Sequence, residues 1–187
     1  MMSRIRILLP GLLLVILGAC AVKVWDPDEV VSQAHYVHPA PPSITLVTVI
    51  NNTTGDGGHS ALLINAHERV AFDPAGNFKS TAVPERNDLL YGMNDAALKT
   101  FYGFHARTEW HVVTQEIEVS EEIASMAYKL VEEYGAVPPA FCANSVTKVL
   151  SQIPGFETVK VSFSPKATMK KFASLPDVRT DKIYEYD

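Results

Sequence analysis

Cys142 has the most chemistry to offer in this chain. Only two cysteines occur in 187 residues, and the other, Cys20, ends an apolar leader at the N-terminus. Cys142 therefore has no obvious pairing partner. An unpaired thiol is either a small buried hydrophobe or a nucleophile, and its placement separates the two. Cys142 directly follows Pro138-Pro139-Ala140-Phe141 and opens a run in which Val146, Val149, Leu150 and Ile153 recur at helical spacing. At a helix N-terminus the dipole and the unpaired N–H groups stabilise a thiolate. The same N–H groups can receive the oxyanion of a tetrahedral intermediate. A cysteine packed in mid-helix gains neither.

A nucleophilic thiol needs a base, and the chain has six histidines. His35 and His38 fall in a polar, Pro-bearing stretch expected to lack order. His67 sits in a hairpin turn, and His111 lies in an alternating strand. His105 follows a helix end, where a cationic tip is favourable for structural reasons alone. His59 differs: it follows Gly57-Gly58 and begins a strand whose next residues are core-like. A polar ring at that position is costly unless it has partners. The strand expected to pair with it offers Asp73, which shares one face with Ala71 by the period of two. A carboxylate taking the Nδ1–H of His59 would fix the tautomer and support the imidazolium. Glu68 and His67 are alternatives at the turn itself. The expected set is Cys142 as nucleophile, His59 as base and then acid, and Asp73 as the group that orients His59.

Those residues need elements to hold them. Ile44–Ile50, His59–Ile64 and Val70–Asp73 read as strands, the last two as a hairpin closed by Asp73-Pro74-Ala75-Gly76-Asn77. Asp95–Phe104 reads as a helix and Glu109–Val119 as a long strand. Ser120 caps a helix that runs to about Tyr134, with Gly135 at its end. Phe141–Ile153 is the cysteine helix. Val159–Phe163 reads as a strand, Ser164-Pro165 opens a short basic helix, and Lys182–Tyr186 is an edge strand. The sum is an α+β fold: an antiparallel sheet with helices packed on one side.

The N-terminus sets the compartment. Arg4 and Arg6 precede an apolar run from Ile7 to Ala19, too short to span a bilayer comfortably. It ends in Leu17-Gly18-Ala19-Cys20, which resembles the bacterial lipobox. That resemblance implies cleavage before Cys20, diacylglycerol on its thiol, and an envelope location, with Ala21 leaning towards the outer membrane. Residues 1–19 would then be a signal peptide, 20–43 a lipid-anchored tether, and 44–187 a single domain. Losing Arg4 and Arg6 takes the formal net charge from −5 to about −7, a poor footprint for nucleic acid. The histidines lack ligand spacing and one remaining cysteine cannot build a structural zinc site, so no metal or cofactor is expected.

Gly58-His59-Ser60-Ala61-Leu62-Leu63-Ile64, a hairpin partner carrying a polar residue, and Phe141-Cys142-Ala143-Asn144-Ser145-Val146 far downstream resemble the circularly permuted papain-like thiol hydrolases. In NlpC-type peptidases the cysteine helix comes first; here the histidine strand does. That order is shared with the lecithin:retinol acyltransferase-like and YiiX-like branch. Many of that branch carry a second histidine where this chain has Asp73, and the Asn-Cys-Glu-His run of the acyltransferases is absent. The resemblance implies a cysteine hydrolase that cleaves amides. Peptidoglycan stem peptides are the nearest envelope substrate. Lipid esters, or a binding role without catalysis, are the other readings.

Overall fold

The computed structural model describes residues 21–185. The expected signal segment, Cys20, and Tyr186 at the end of the expected last strand lie outside the described residues.

Among the described residues, seven strands form one antiparallel sheet. They are β1 (Ser43–Asn51), β2 (Gly57–Asn65), β3 (Arg69–Phe72), β4 (Glu85–Arg86), β5 (Leu89–Leu90), β6 (Trp110–Glu118) and β7 (Arg179–Ile183), arranged β4-β5-β3-β2-β1-β6-β7. The helices are α1 (Asp28–Gln33), α2 (Asp95–His105), α3 (Glu121–Glu132), α4 (Cys142–Leu150) and α5 (Pro165–Phe172). The fold is α+β, as the sequence pattern predicts.

The central strands are apolar on both sides because both sides are covered. Leu46, Leu62, Ile64 and Phe72 pack with Tyr128 and Val131 of α3, Val146, Val149 and Leu150 of α4, and Phe172 of α5. Val47, Ala61, Leu63 and Ala71 point the other way and meet Phe101 of α2 together with Phe78 and Met93. The expectation of helices on one side is therefore corrected: α2 covers the opposite face from α3, α4 and α5. The continuous run of β1 required a second cover, since alternation is lost when neither face meets water. The expected caps are in place, with Ser120 accepting from Ile123 N–H and Ser164 from Ala167 N–H.

Three other expectations are corrected. The stretch read as a tether is laid on the domain. Asn87 N–H donates to the Val24 carbonyl, Arg69 N–H to that of Tyr36, and the Asn65 side chain to those of Ala40 and Pro41. Val159–Phe163 is not a strand, because Ser162 N–H bonds the Thr147 hydroxyl of α4 at 3.0 Å instead of a strand neighbour. The edge strand is Arg179–Ile183, paired to β6, and lies earlier than expected. The β4–β5 hairpin had no sequence expectation. Each strand is two residues long, and Asn87 and Asp88 turn between them at φ of 47° and 67°, as in a primed hairpin turn.

Candidate active site

β2 extends past its partner. β3 pairs with Leu62 to Asn65 only, so the first half of β2 has one open edge. His59 lies on this free half, opposite Val49 of β1, and a register shift there leaves Gly58 as an extra residue. Two close approaches explain the glycine pair. A Cβ on Gly57 would stand 2.6 Å from the Lys166 nitrogen at the start of α5, and one on Gly58 would stand 2.6 Å from the Trp110 ring.

By the period of two, His59 shares the side of Ala61 and Leu63, the face that α2 covers. Asp73, two residues beyond Ala71, is on that side too. Its buried Oδ1 accepts from His59 Nε2 at 2.6 Å. The sequence placed this carboxylate on Nδ1; the structure corrects it to Nε2. Nδ1 is therefore the ring nitrogen not bonded to Asp73, and Cys142 acts on the same ring, its sulfur helping to raise the His59 pKa.

Cys142 arrives from the other side, as the first residue of α4. The two groups meet at the open edge of β2. The backbone N–H groups of Ser60, on the strand edge that β3 leaves free, and of Ala143 both favour the thiolate. A third strand continued alongside His59 would have closed this gap.

The electrostatics are those of an ion pair. Burial pushes His59 down, but the Asp73 carboxylate and the Cys142 sulfur outweigh it and hold the imidazole up to about 10. Burial pushes Cys142 up; the His59 hydrogen bond and charge, with the two N–H donors, bring the thiol below its usual range. Burial would raise Asp73, yet the His59 bond and charge keep it below the usual carboxylate range. The three shifts run together, each favouring the charged form: thiolate, imidazolium and carboxylate. The first N–H groups of α4 are free of any side-chain cap, as Phe141 supplies none. They can face a developing oxyanion.

Two residues that sequence reasoning missed organise this site. Asp88 joins its halves. Its carbonyl accepts from Asp73 N–H at 2.8 Å, and its carboxylate accepts from Ala75 N–H at 3.2 Å and from Val137 N–H at 2.8 Å, on the segment leading to Cys142. Only a hairpin with left-handed residues puts Asp88 there, so no local signal marked it. His105, expected as a cationic helix tip, is instead buried against Phe101 and Phe104, and burial holds its pKa down. Its ring stacks on His59 with centroids 5.4 Å apart and planes 4° from parallel.

The remaining histidines lie elsewhere. His35 Nδ1 bonds Glu68, His38 bonds Tyr36, His67 packs on Tyr128, and His111 bonds Asn52. His35 and His38 are thus fixed, not disordered. Glu68 also accepts from the Tyr128 hydroxyl at 2.6 Å. Neither Glu68 nor His67 is engaged with His59, which leaves Asp73 as its carboxylate. His59, Asp73 and His105 each offer one ligand atom, all within 4.8 Å of one another. A cation held there would have to displace the proton between His59 and Asp73.

Both chemical segments are set by a Pro-Ala turn. Asp73-Pro74-Ala75-Gly76 closes with Gly76 N–H on the Asp73 carbonyl, and Pro138-Pro139-Ala140-Phe141 with Phe141 N–H on that of Pro138. Ala75 and Ala140 have φ of 57° and 70°, a conformation that costs an alanine about 1–2 kcal/mol. Such strain persists where surrounding structure fixes the geometry. Beside Cys142 the surface is apolar: Phe141 and Phe163 form an exposed edge-to-face pair at 5.3 Å, with Val161 exposed nearby in sequence. A groove of about 540 Å³ between α2 and β7, lined by Leu98, Tyr102 and Ile183, holds none of the site residues.

Compared with protein-family models, curated proteins and solved structures, the chain matches none of them. Among the described residues no helix is long and apolar enough to cross a membrane.

Proposed function

We propose that this protein is a cysteine hydrolase that cleaves amide bonds, with peptidoglycan stem peptides as its substrate and a lipid on Cys20 holding it in the bacterial envelope. The observation that carries the reading is the relay at the edge of β2: the 2.6 Å bond of His59 Nε2 to Asp73, with Cys142 at the start of α4 acting on the same ring. The order of histidine strand and cysteine helix supports a permuted papain-like relationship. So does the antiparallel sheet.

The chemistry follows from that relay. The Cys142 thiolate attacks the amide carbonyl carbon, and the first N–H groups of α4 hold the oxyanion. Collapse breaks the C–N bond; the His59 imidazolium gives its Nδ1 proton to the leaving amine. Neutral His59 then takes a proton from water, which attacks the thioester and releases the acid and the thiolate. Asp73 keeps the Nε2–H in place throughout, which fixes the tautomer and stabilises the imidazolium.

A second reading is favoured by one observation. The exposed Phe141, next to the nucleophile, and Phe163, packed on it, suit an apolar group better than a polar stem peptide. The same relay could then act on acyl esters of lipids. Product analysis separates the two. The purified protein is incubated with murein fragments and, separately, with phospholipid vesicles, with Cys142→Ala as control. A new free amine on the stem peptide supports the amidase. Release of fatty acid alone supports the esterase. No product from either, together with slow alkylation of Cys142 at neutral pH, rejects both in favour of a binding domain.

A further inference from the structure

We propose that His105 is a positioning residue for the thiol hydrolase chemistry: its ring is a rigid wall that fixes the plane of His59 and so aims Nδ1 at Cys142. The inference rests on the reading of Cys142 as nucleophile.

Rigidity comes first. Nδ1 of His105 is 2.9 Å from the Phe101 carbonyl one turn earlier, a distance at which Nδ1–H donates. Phe101 packs on the same ring at 4.6 Å and Phe104 meets it edge-on at 5.1 Å. Phe78 backs both phenylalanines at 5.3 and 5.4 Å. The ring is held on its edge and on its faces, and its side chain is 8% exposed.

Need comes second. His59 lies on the free half of β2, where no third strand flanks it. Its Nε2 is tied to Asp73, but one hydrogen bond leaves rotation of the ring about that bond unopposed. Any such rotation swings Nδ1 away from the sulfur. The His105 ring lies against the His59 ring with planes 4° apart, which opposes this motion. It also covers the Asp73 carboxylate, whose Oδ1 is 4.0 Å from His105 Nε2. That separation is too long for a hydrogen bond, so His105 does not compete with His59 for the carboxylate. With Nδ1–H on a carbonyl, the neutral ring presents Nε2 as a lone pair and cannot donate to Asp73. Stacking, not charge, is the contact that remains.

A displacement of about 1 Å in an active site can cost roughly a hundredfold in rate. His105→Ala should therefore lower kcat by about tenfold or more with KM little changed. It should also raise the pH at which iodoacetamide labels Cys142 at half its maximal rate. His105→Phe keeps an aromatic wall and loses both nitrogens; it should restore kcat to within about threefold of the original protein and restore the labelling profile. The phenylalanine variant also guards against a His105→Ala protein that does not fold, with circular dichroism as the check. Folded His105→Ala with an unchanged kcat and labelling profile would overturn the proposal. So would a folded His105→Phe that is as slow as His105→Ala. If Cys142 of the unaltered protein labels like an ordinary thiol, the nucleophile reading falls and this proposal falls with it. A low-pH profile in the unaltered protein that the His105 variants leave unmoved sinks this proposal alone.

Discussion

Gly76 touches no reacting atom, yet the geometry makes it a test of the whole relay. A Cβ built on Gly76 stands 1.9 Å from Asp73 Oδ2, 2.3 Å from its Cγ and 2.7 Å from its Oδ1. Ordinary contact begins near 3.4 Å, so Gly76→Ala forces a retreat of about 1.5 Å. Two relaxations are open. In one the carboxylate turns away, and its 2.6 Å bond to His59 stretches past about 3.5 Å, where it ceases to be a hydrogen bond. In the other the turn opens and loses the Gly76 N–H bond to the Asp73 carbonyl. The first is the smaller movement, since it displaces only three side-chain atoms. A hydrogen bond to a charged group contributes about 1.5–3 kcal/mol, equivalent to roughly ten- to a hundredfold in rate. Gly76→Ala should therefore lower kcat/KM by about that factor and destabilise the fold by about 1–3 kcal/mol. Removing the support of Asp73 should also lower the pKa of His59 and raise that of Cys142. The assays are substrate turnover, alkylation of Cys142 against pH, and urea unfolding. A folded Gly76→Ala protein with unchanged turnover, an unchanged alkylation profile and unchanged urea stability, which excludes an opened turn, would refute the reasoning.

Cys142→Ala should abolish turnover while thermal melting shows an intact fold, because alanine is well tolerated in the first turn of a helix. Asp73→Asn should cost less than loss of the thiol, as the α4 N–H groups remain; full turnover in the folded variant removes the third role only. The fold raises the His59 pKa from its ordinary 6.5 to about 10. Its charge therefore stabilises fully below 6.5, and that contribution is lost as pH rises towards about 10. The stability gap between the protein and His59→Ala should narrow across that window in thermal melts. Asp88→Ala strands the N–H groups of Ala75 and Val137 and should cost about 2–3 kcal/mol in urea unfolding. Cys20→Ala should block processing and leave a larger precursor on gels, whereas the unaltered protein should need detergent to leave membranes.

Local residue patterns located the main elements and singled out Cys142 and His59 as the candidate pair. Periodicity placed β1, β2, β3, β6 and the cysteine helix within a few residues, because amphipathic spacing and breakers such as Pro138-Pro139 act locally. Cys142 stood out through its position after those prolines, His59 through the Gly57-Gly58 pair, and Asp73 through its parity with Ala71. What the tertiary structure decided was how they meet. His59 and the α4 helix belong to opposite faces of the sheet, and contact between them depends on β3 ending at Phe72, opposite Leu62. That length is set by the Asp73 turn and by the β4–β5 hairpin, whose two-residue strands carry too little pattern to read. The choice of Nε2 for Asp73 depends on the ring's rotation, which no spacing encodes. His105 is 46 positions from His59 in the chain. It reaches the site because α2 folds over the face that β1 also had to bury. Local residue types settle what a segment becomes; long-range packing settles which segments share an edge.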